Sequence, residues 1–358
     1  MWSKWINILT VIPTFAECHD FLPLWSDCQL SSSLSNKLFS SIGKTVIIPC
    51  FCISGGNIIR LQRKINYKGI LKFHLYSDDK KDVKDLLNSE PILDLNNKPL
   101  IGMIHLPTME SYVSPNFDFD DSFRISIADT LTLKQAGFKA ILIENFHDVP
   151  FPKSRIDDAK FLLMSKIVDK IIKSVPDMII GVNILRNACT QALTLATINK
   201  ASFIRCNIWE GAYVTDQGII EAAASQVMRE KQILRSSVKI LADIGVKHAS
   251  PLGQFSLEEA AQNAIHRGRA DAVILSGKET GKMIAIEKLR NFVQKIHIKP
   301  LLGSGITFEN LNSVFPYISG AIIGSSLKYD STNLHSPIDL EKATNLMNYW
   351  NKLSEKED

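Results

Sequence analysis

Within ILADIGVKHASPLG (240–253), a carboxylate, an amine and an imidazole fall close together as Asp243, Lys247 and His248. Such a set suits proton transfer, because neighbouring charges move each pKa toward neutrality. Lys247 has a second use, since an amine whose charge is disfavoured by burial forms a Schiff base with a carbonyl substrate. The plainer alternative is a structural ion pair between Asp243 and Lys247. Glu144, at the end of an apolar run, is a second candidate base. Glu144, Asp148, His105 and His147 also offer enough oxygen and nitrogen donors for a divalent metal, although their spacing matches no metal signature. Arg205 stands alone inside the apolar FIRCNI. It must either meet an anion or pair with a buried carboxylate.

A different chemistry is written near the carboxyl end. PLLGSGI (300–306) stops in Gly303-Ser304-Gly305, and GAIIGSSLK (320–328) turns at Gly324-Ser325. Glycines let the backbone approach an anion, and the N–H groups of such turns then bind phosphate oxygens. A small phosphorylated ligand is therefore expected; two unrelated tight turns are the alternative. The loop WEGAYVTDQG (209–218) has the composition of a lid, with Asp216 placed to reach a ligand.

These residues need a scaffold that brings strand ends together. From Lys98 onward, short runs rich in Ile, Val and Leu alternate with amphipathic stretches of helical period. The predicted strands are 100–106, 138–145, 178–185, 202–208, 238–244, 271–277, 300–305 and 320–326. Near-continuous apolar strands indicate burial on both faces, as in a parallel sheet covered by helices. Eight of them, with helices between, predict an α/β fold closed into a (βα)8 TIM barrel over 98–358. An open doubly wound sheet is the runner-up, but GMIHLP carries Pro107 where a glycine-rich dinucleotide turn would stand. In a barrel the chemistry sits at the carboxyl ends of the strands. Those ends carry His105, Glu144-Asn145, Asn183, Arg205 with Asn207, Asp243, Ser276-Gly277, Gly303-Ser304-Gly305 and Gly324-Ser325. Their polarity predicts a functional mouth, with His105, Asn145, Asn183, Arg205, Asn207, Asp216, Ser276 and Gly277 binding substrate.

Residues 1–97 read differently, as an irregular N-terminal extension. Residues 1–43 mix Trp2, Trp5 and Trp25 with a Ser-rich run and show no sustained period. The opening resembles a signal peptide in outline, but Asn7 and Pro13 interrupt its apolar stretch. A cytoplasmic or organellar compartment is expected before secretion, and no run is long enough to span a bilayer. KTVIIPCFCISGG (44–56) reads as a strand ending in a turn, with Cys50 and Cys52 as buried thiols. SDDKKDVKD (77–85) reads as a solvated helix face or linker. Over the whole chain of 358 residues, 41 Lys plus Arg oppose 37 Asp plus Glu, for a net charge of +4. That excess argues for no nucleic-acid partner. Six cysteines make no disulfide framework. No organic cofactor has a signature here, and a homo-oligomer is compatible with everything above.

Taken together, KPLIGMIHLP (98–107), AILIENFHDVPF (140–151), GVNILRN (181–187), FIRCNIWEGAYVTDQG (203–218), ILADIGVKHASPLG, RGRADAVILSGKETG (267–281), PLLGSGIT and GAIIGSSLK resemble the BtpA family. That family is named for a photosystem I biogenesis protein and grouped with ribulose-phosphate-binding barrels. The resemblance implies the phosphate cradle but assigns no catalytic residue. This chain departs from the family at Ile318-Ser319-Gly320, where Ala-Asp-Gly is usual, and at TMESYVSPN after the first strand. Three functions follow as expectations. One is an enzyme acting on a phosphorylated sugar or nucleoside by isomerisation, lyase or glycosidic cleavage chemistry. The others are an assembly factor that uses the barrel as scaffold and a phosphometabolite-binding regulator.

Overall fold

Alternation of period two, repeated on parallel strands, determines what this protein places at its centre. The computed structural model describes residues 93–109, 117–254, 256–277, 284–303 and 305–356, with the backbone of 8–10, 46–54, 57–65 and 71–77. The chain divides into a unit of residues 1–89 and one of 90–358.

The first unit contains strands β1 (Ile8–Thr10), β2 (Val46–Ser54), β3 (Asn57–Ile65) and β4 (Leu71–Ser77). They form an antiparallel sheet in the order β1-β4-β3-β2, with Cys50 opposite Leu61 and Cys52 opposite Ile59. The strand expected within 44–56 is present. The Ser-rich run, the signal-like opening outside β1, and the charged run after Ser77 lie outside the described residues.

The second unit contains all eight strands expected from the sequence. They are β5 (Leu100–His105), β6 (Ala140–Glu144), β7 (Ile179–Asn183), β8 (Phe203–Cys206), β11 (Lys239–Ile244), β13 (Ala272–Leu275), β14 (Leu301–Leu302) and β15 (Gly320–Ile323). Parallel pairing runs in chain order and closes from β15 back to β5, completing the barrel. Between β8 and β11 the chain makes a hairpin, β9 (Ala212–Thr215) and β10 (Gly218–Glu221). A short strand after β11, β12 (Ala249–Pro251), adds to β9 and completes a three-stranded antiparallel flap.

A helix follows each barrel strand, and several carry side-chain caps. Asp157 accepts the Lys160 N–H at the start of the helix Asp158–Ser174, and Ser256 and Glu259 form a capping box before Leu257–Gln262. Each such cap is worth about 1 kcal/mol. Among the described residues no helix is long and apolar enough to cross a membrane.

Inside the barrel, Ile101, Met103, Ala140, Leu142, Phe203, Leu241, Ile274, Leu301 and Ile322 pack as one buried cluster. Gly181 leaves space for Phe203 there, since a Cβ on Gly181 would lie 2.1 Å from the Phe203 ring. This apolar plug closes the lower barrel. Successive residues of a strand face opposite sides. Two residues above the plug on successive strands therefore come His105, Glu144, Asn183, Arg205, Asp243, Ser276, Gly303 and Gly324. The register agrees, with His105 opposite Glu144 and Glu144 opposite Asn183. The same alternation that fills the core with hydrocarbon delivers the polar layer above it.

Candidate active site at the barrel mouth

Above the plug lies a cavity of about 220 Å³. One wall consists of turns. Gly303, Gly305, Gly324, Ser325 and Ser326 line it, while Ser304 lies outside the described residues. Gly305 has φ +79°, a conformation that glycine adopts without strain. Asn310 fixes this turn by donating from Nδ2 to the Gly305 carbonyl (2.7 Å) and accepting from the Thr307 N–H (3.0 Å). Gly324 makes room for His105, whose Cε1 would lie 3.3 Å from any Cβ placed there.

The facing wall is charged. Arg205 donates from Nε to Asp243 Oδ1 (3.0 Å) and from Nη2 to Oδ2 (2.9 Å), and Asn207 Nδ2 donates to the same Oδ2 (2.8 Å). Both ions of this pair are buried. The partner of Asp243 is thus Arg205, and the Asp243–Lys247 ion pair that the spacing allowed is not formed. Asp243, expected to move protons, lines the cavity with three donors on its two oxygens. Its geometry is that of an anchor. Of the two expectations for Arg205, the pairing with a buried carboxylate is the one seen, and the side chain also lines the cavity.

Glu144 is also buried and lines the cavity, accepting a hydrogen bond from Asn183 Nδ2. Lys247 points its chain into the same space. Burial, followed by the charge of Arg205, pushes its pKa down to about 8. His248 (φ +50°) and Asp216, at the tip of the flap hairpin, sit on the rim. His105 lines the floor; burial first, then the charge of Lys328, lowers its pKa to about 3. It is a neutral imidazole at ordinary pH, and its Nδ1 has no hydrogen-bond partner.

Some expected ligand contacts belong to the scaffold. Asn145 is fully buried, and its Oδ1 accepts the Leu185 N–H (2.7 Å). It does not line the cavity, because it is one residue out of phase with Glu144 and so faces the other side of the strand. Asn183 orients Glu144 instead of lining the mouth. Ser276 and Gly277 are also absent from the lining; Ser276 Oγ sits behind Gly303, 2.5 Å from where its Cβ would be.

The four residues considered for a metal separate. Asp148 turns away to accept the Met109 N–H (2.6 Å), and His147 stacks on His335 with ring centroids 3.7 Å apart. Among the described residues no group of three or more His, Cys, Asp or Glu converges as a ligand set.

One charged lining residue was missed. Arg186 is buried at the mouth, and its Nη2 donates to the Lys247 carbonyl. Burial lowers its pKa, opposed by the charge of Asp243. The clue that singled out Arg205, a lone guanidinium among apolar neighbours, was also present in GVNILRN.

With this geometry in hand, known proteins place the chain. An uncharacterized protein of Methanocaldococcus jannaschii is 40% identical over 256 residues, covering 72% of this chain and 96% of that protein. The photosystem I biogenesis protein BtpA of Synechocystis is 36% identical over 244 residues, covering 68% of this chain and 84% of that protein. Among solved structures, the tryptophan synthase alpha chain of Legionella pneumophila shares 12% identity at a TM-score of 0.44, covering 76% of this chain and 95% of that one. The BtpA family model matches residues 96–352, the whole barrel with its mouth, and the chain belongs to the BtpA family.

Proposed function

We propose that the barrel is an enzyme acting on a small phosphorylated metabolite, a sugar phosphate or a nucleotide-like compound. The observation that carries this reading is convergence. The glycine turns after β14 and β15 and the charged groups Glu144, Lys247, Arg186 and Arg205 line one cavity. Turns at these two strand ends are where barrels of this kind hold phosphate. In this reading Gly305, Gly324 and Ser325 hold the phosphate through backbone N–H groups and a hydroxyl, and Gly303, whose own N–H is donated to the Leu275 carbonyl, keeps the turn free of a side chain. Glu144 and Lys247 move protons at the other end of the ligand, in isomerisation, lyase or glycosidic cleavage chemistry. Asp243 keeps Arg205 extended toward the ligand. Burying charged groups is costly unless each gains a partner, and Lys247, the one cation of this wall that the protein leaves unpaired, would gain one from a ligand.

A second reading takes the name of the Synechocystis relative at face value and makes this chain an assembly factor as well. The experiment that separates the two is a thermal-shift screen with inorganic phosphate, sugar phosphates and nucleotides. Ligand stabilisation at 100 times Kd amounts to about 2.7 kcal/mol. Its appearance supports the enzyme or a ligand-binding regulator, and turnover that Glu144→Gln abolishes then selects the enzyme. No stabilisation across the panel overturns the proposal in favour of the assembly factor.

A further inference from the structure

Three cationic side chains border the cavity, and only two are engaged by the protein. Arg205 is held at two points by Asp243, and Arg186 is tied to the backbone carbonyl of Lys247. The carboxylates are engaged as well, Asp243 by Arg205 and Asn207, Glu144 by Asn183. Lys247, in the middle of these groups, forms no ion pair or side-chain hydrogen bond among the described residues, yet it lines the cavity. A lysine used only to neutralise charge would close on a carboxylate. One held apart from the carboxylates, against two guanidinium groups, is arranged as a nucleophile.

We infer that Lys247 captures the carbonyl carbon of a phosphorylated aldehyde or ketone as an imine, with the phosphate held at Gly305 and the Gly324–Ser325 turn. The inference rests on the phosphate-binding reading above and narrows its substrate class. The depressed pKa of Lys247, about 8, agrees with it by making neutral amine available near neutrality. In the step itself, the nitrogen lone pair forms the C–N bond while the carbonyl π pair moves to oxygen. The oxygen then departs as water. The two protons that the ammonium loses are the two that the departing oxygen gains, and Glu144 is the cavity group placed to carry them. The product is a protonated imine, C=N⁺. It accepts the electron pair released when an adjacent C–H or C–C bond breaks, which favours isomerase or lyase chemistry over glycosidic cleavage.

The test uses the full chain with pyridoxal 5′-phosphate as probe, an aldehyde carrying a phosphate, followed by sodium borohydride and peptide mapping by mass spectrometry. Parallel samples receive pyridoxal, or pyridoxal 5′-phosphate with excess inorganic phosphate. Hydride adds to the imine carbon and leaves a stable secondary amine on the lysine. The expected result is labelling of Lys247 about tenfold ahead of the surface lysines, as its lower pKa allows. Pyridoxal should label it weakly and inorganic phosphate should compete. Lys247→Arg and Lys247→Met should lose this label while phosphate still raises their Tm, which shows that they are folded. Label spread evenly over the lysines and unchanged in Lys247→Arg, with phosphate stabilisation intact, overturns the imine and leaves the phosphate reading standing. If inorganic phosphate neither competes nor stabilises the wild-type chain, the phosphate reading fails and the inference fails with it.

Discussion

Arg205 and Asp243, on adjacent barrel strands, are joined by two parallel hydrogen bonds of 3.0 and 2.9 Å with both side chains buried. The two charges lie one layer above the hydrocarbon plug, on the cavity wall but almost wholly withdrawn from solvent. Removing one partner leaves an uncompensated charge, which costs about 3–5 kcal/mol. Asp243→Asn is therefore expected to lower stability by that order in urea unfolding. The double variant Arg205→Met/Asp243→Leu is expected to recover most of the loss. If Asp243→Asn is as stable as the wild type, the pair is not the anchor described here.

Glu144 is held by Asn183 but keeps its place on the cavity wall. Glu144→Gln preserves its size and removes its capacity to carry a proton. Turnover of whichever sugar phosphate stabilises the protein is expected to fall about 10²–10⁴-fold, the usual worth of a positioned acid or base. The Tm rise produced by that ligand should persist. Retained turnover would remove Glu144 from the chemistry.

At Gly303 the constraint is space. A Cβ there would lie 2.5 Å from both Ile274 Cγ2 and Ser276 Oγ. Gly303→Ala is expected to cost about 1–3 kcal/mol by overpacking and to weaken inorganic phosphate binding by displacing the turn. Isothermal titration with phosphate reads the second effect directly; an unchanged Kd would dissociate this turn from anion binding.

Acid sensitivity follows from the histidines. The folded protein holds His105 neutral down to about pH 3, chiefly through burial and then the charge of Lys328. It holds His147 neutral to about pH 4, through burial and then His335. An unfolded chain protonates both near pH 6.5. Their contribution to stability is complete above that value and is lost progressively as pH falls, down to about 4 for His147 and about 3 for His105. For His105 the slope reaches about 1.4 kcal/mol per pH unit; for the more exposed His147 it is smaller. Tm measured from pH 7 to 4 should fall, and His105→Asn should flatten the decline. A parallel decline in that variant would assign it to other groups.

Most of the barrel was legible because apolar strand patterns and helical periods alternate without interruption from Lys98. All eight strands stand where their hydrophobicity predicted. The division of labour at the mouth was less legible. Asn145 and Glu144 are neighbours in the chain, yet period two sends them to opposite sides, so one clamps the Leu185 N–H and the other faces the cavity. That distinction is contained in the pattern and is recovered by counting from the buried layer. The choice of Arg205 over Lys247 as partner for Asp243 is not contained in it. Arg205 and Asp243 lie on strands paired side by side, whereas Lys247 lies beyond the strand end, where the path of the loop sets its direction. Arg186 was hidden for the same reason, as a loop residue whose orientation comes from a bond to a distant carbonyl.

The flap hairpin and the Lys247 loop are fastened to one another. Strand β12 begins two residues after Lys247 and pairs along β9, with Ser250 opposite Val214 and Pro251 opposite Tyr213. The hairpin tip carries Asp216, so the cover and the amine share a single stretch of hydrogen-bonded backbone. Any displacement of the hairpin would therefore be transmitted to the Lys247 segment. If a ligand enters under this hairpin, its entry and the placing of Lys247 would be one mechanical event, and a crosslink fixing Val214 to Ser250 would stiffen both together.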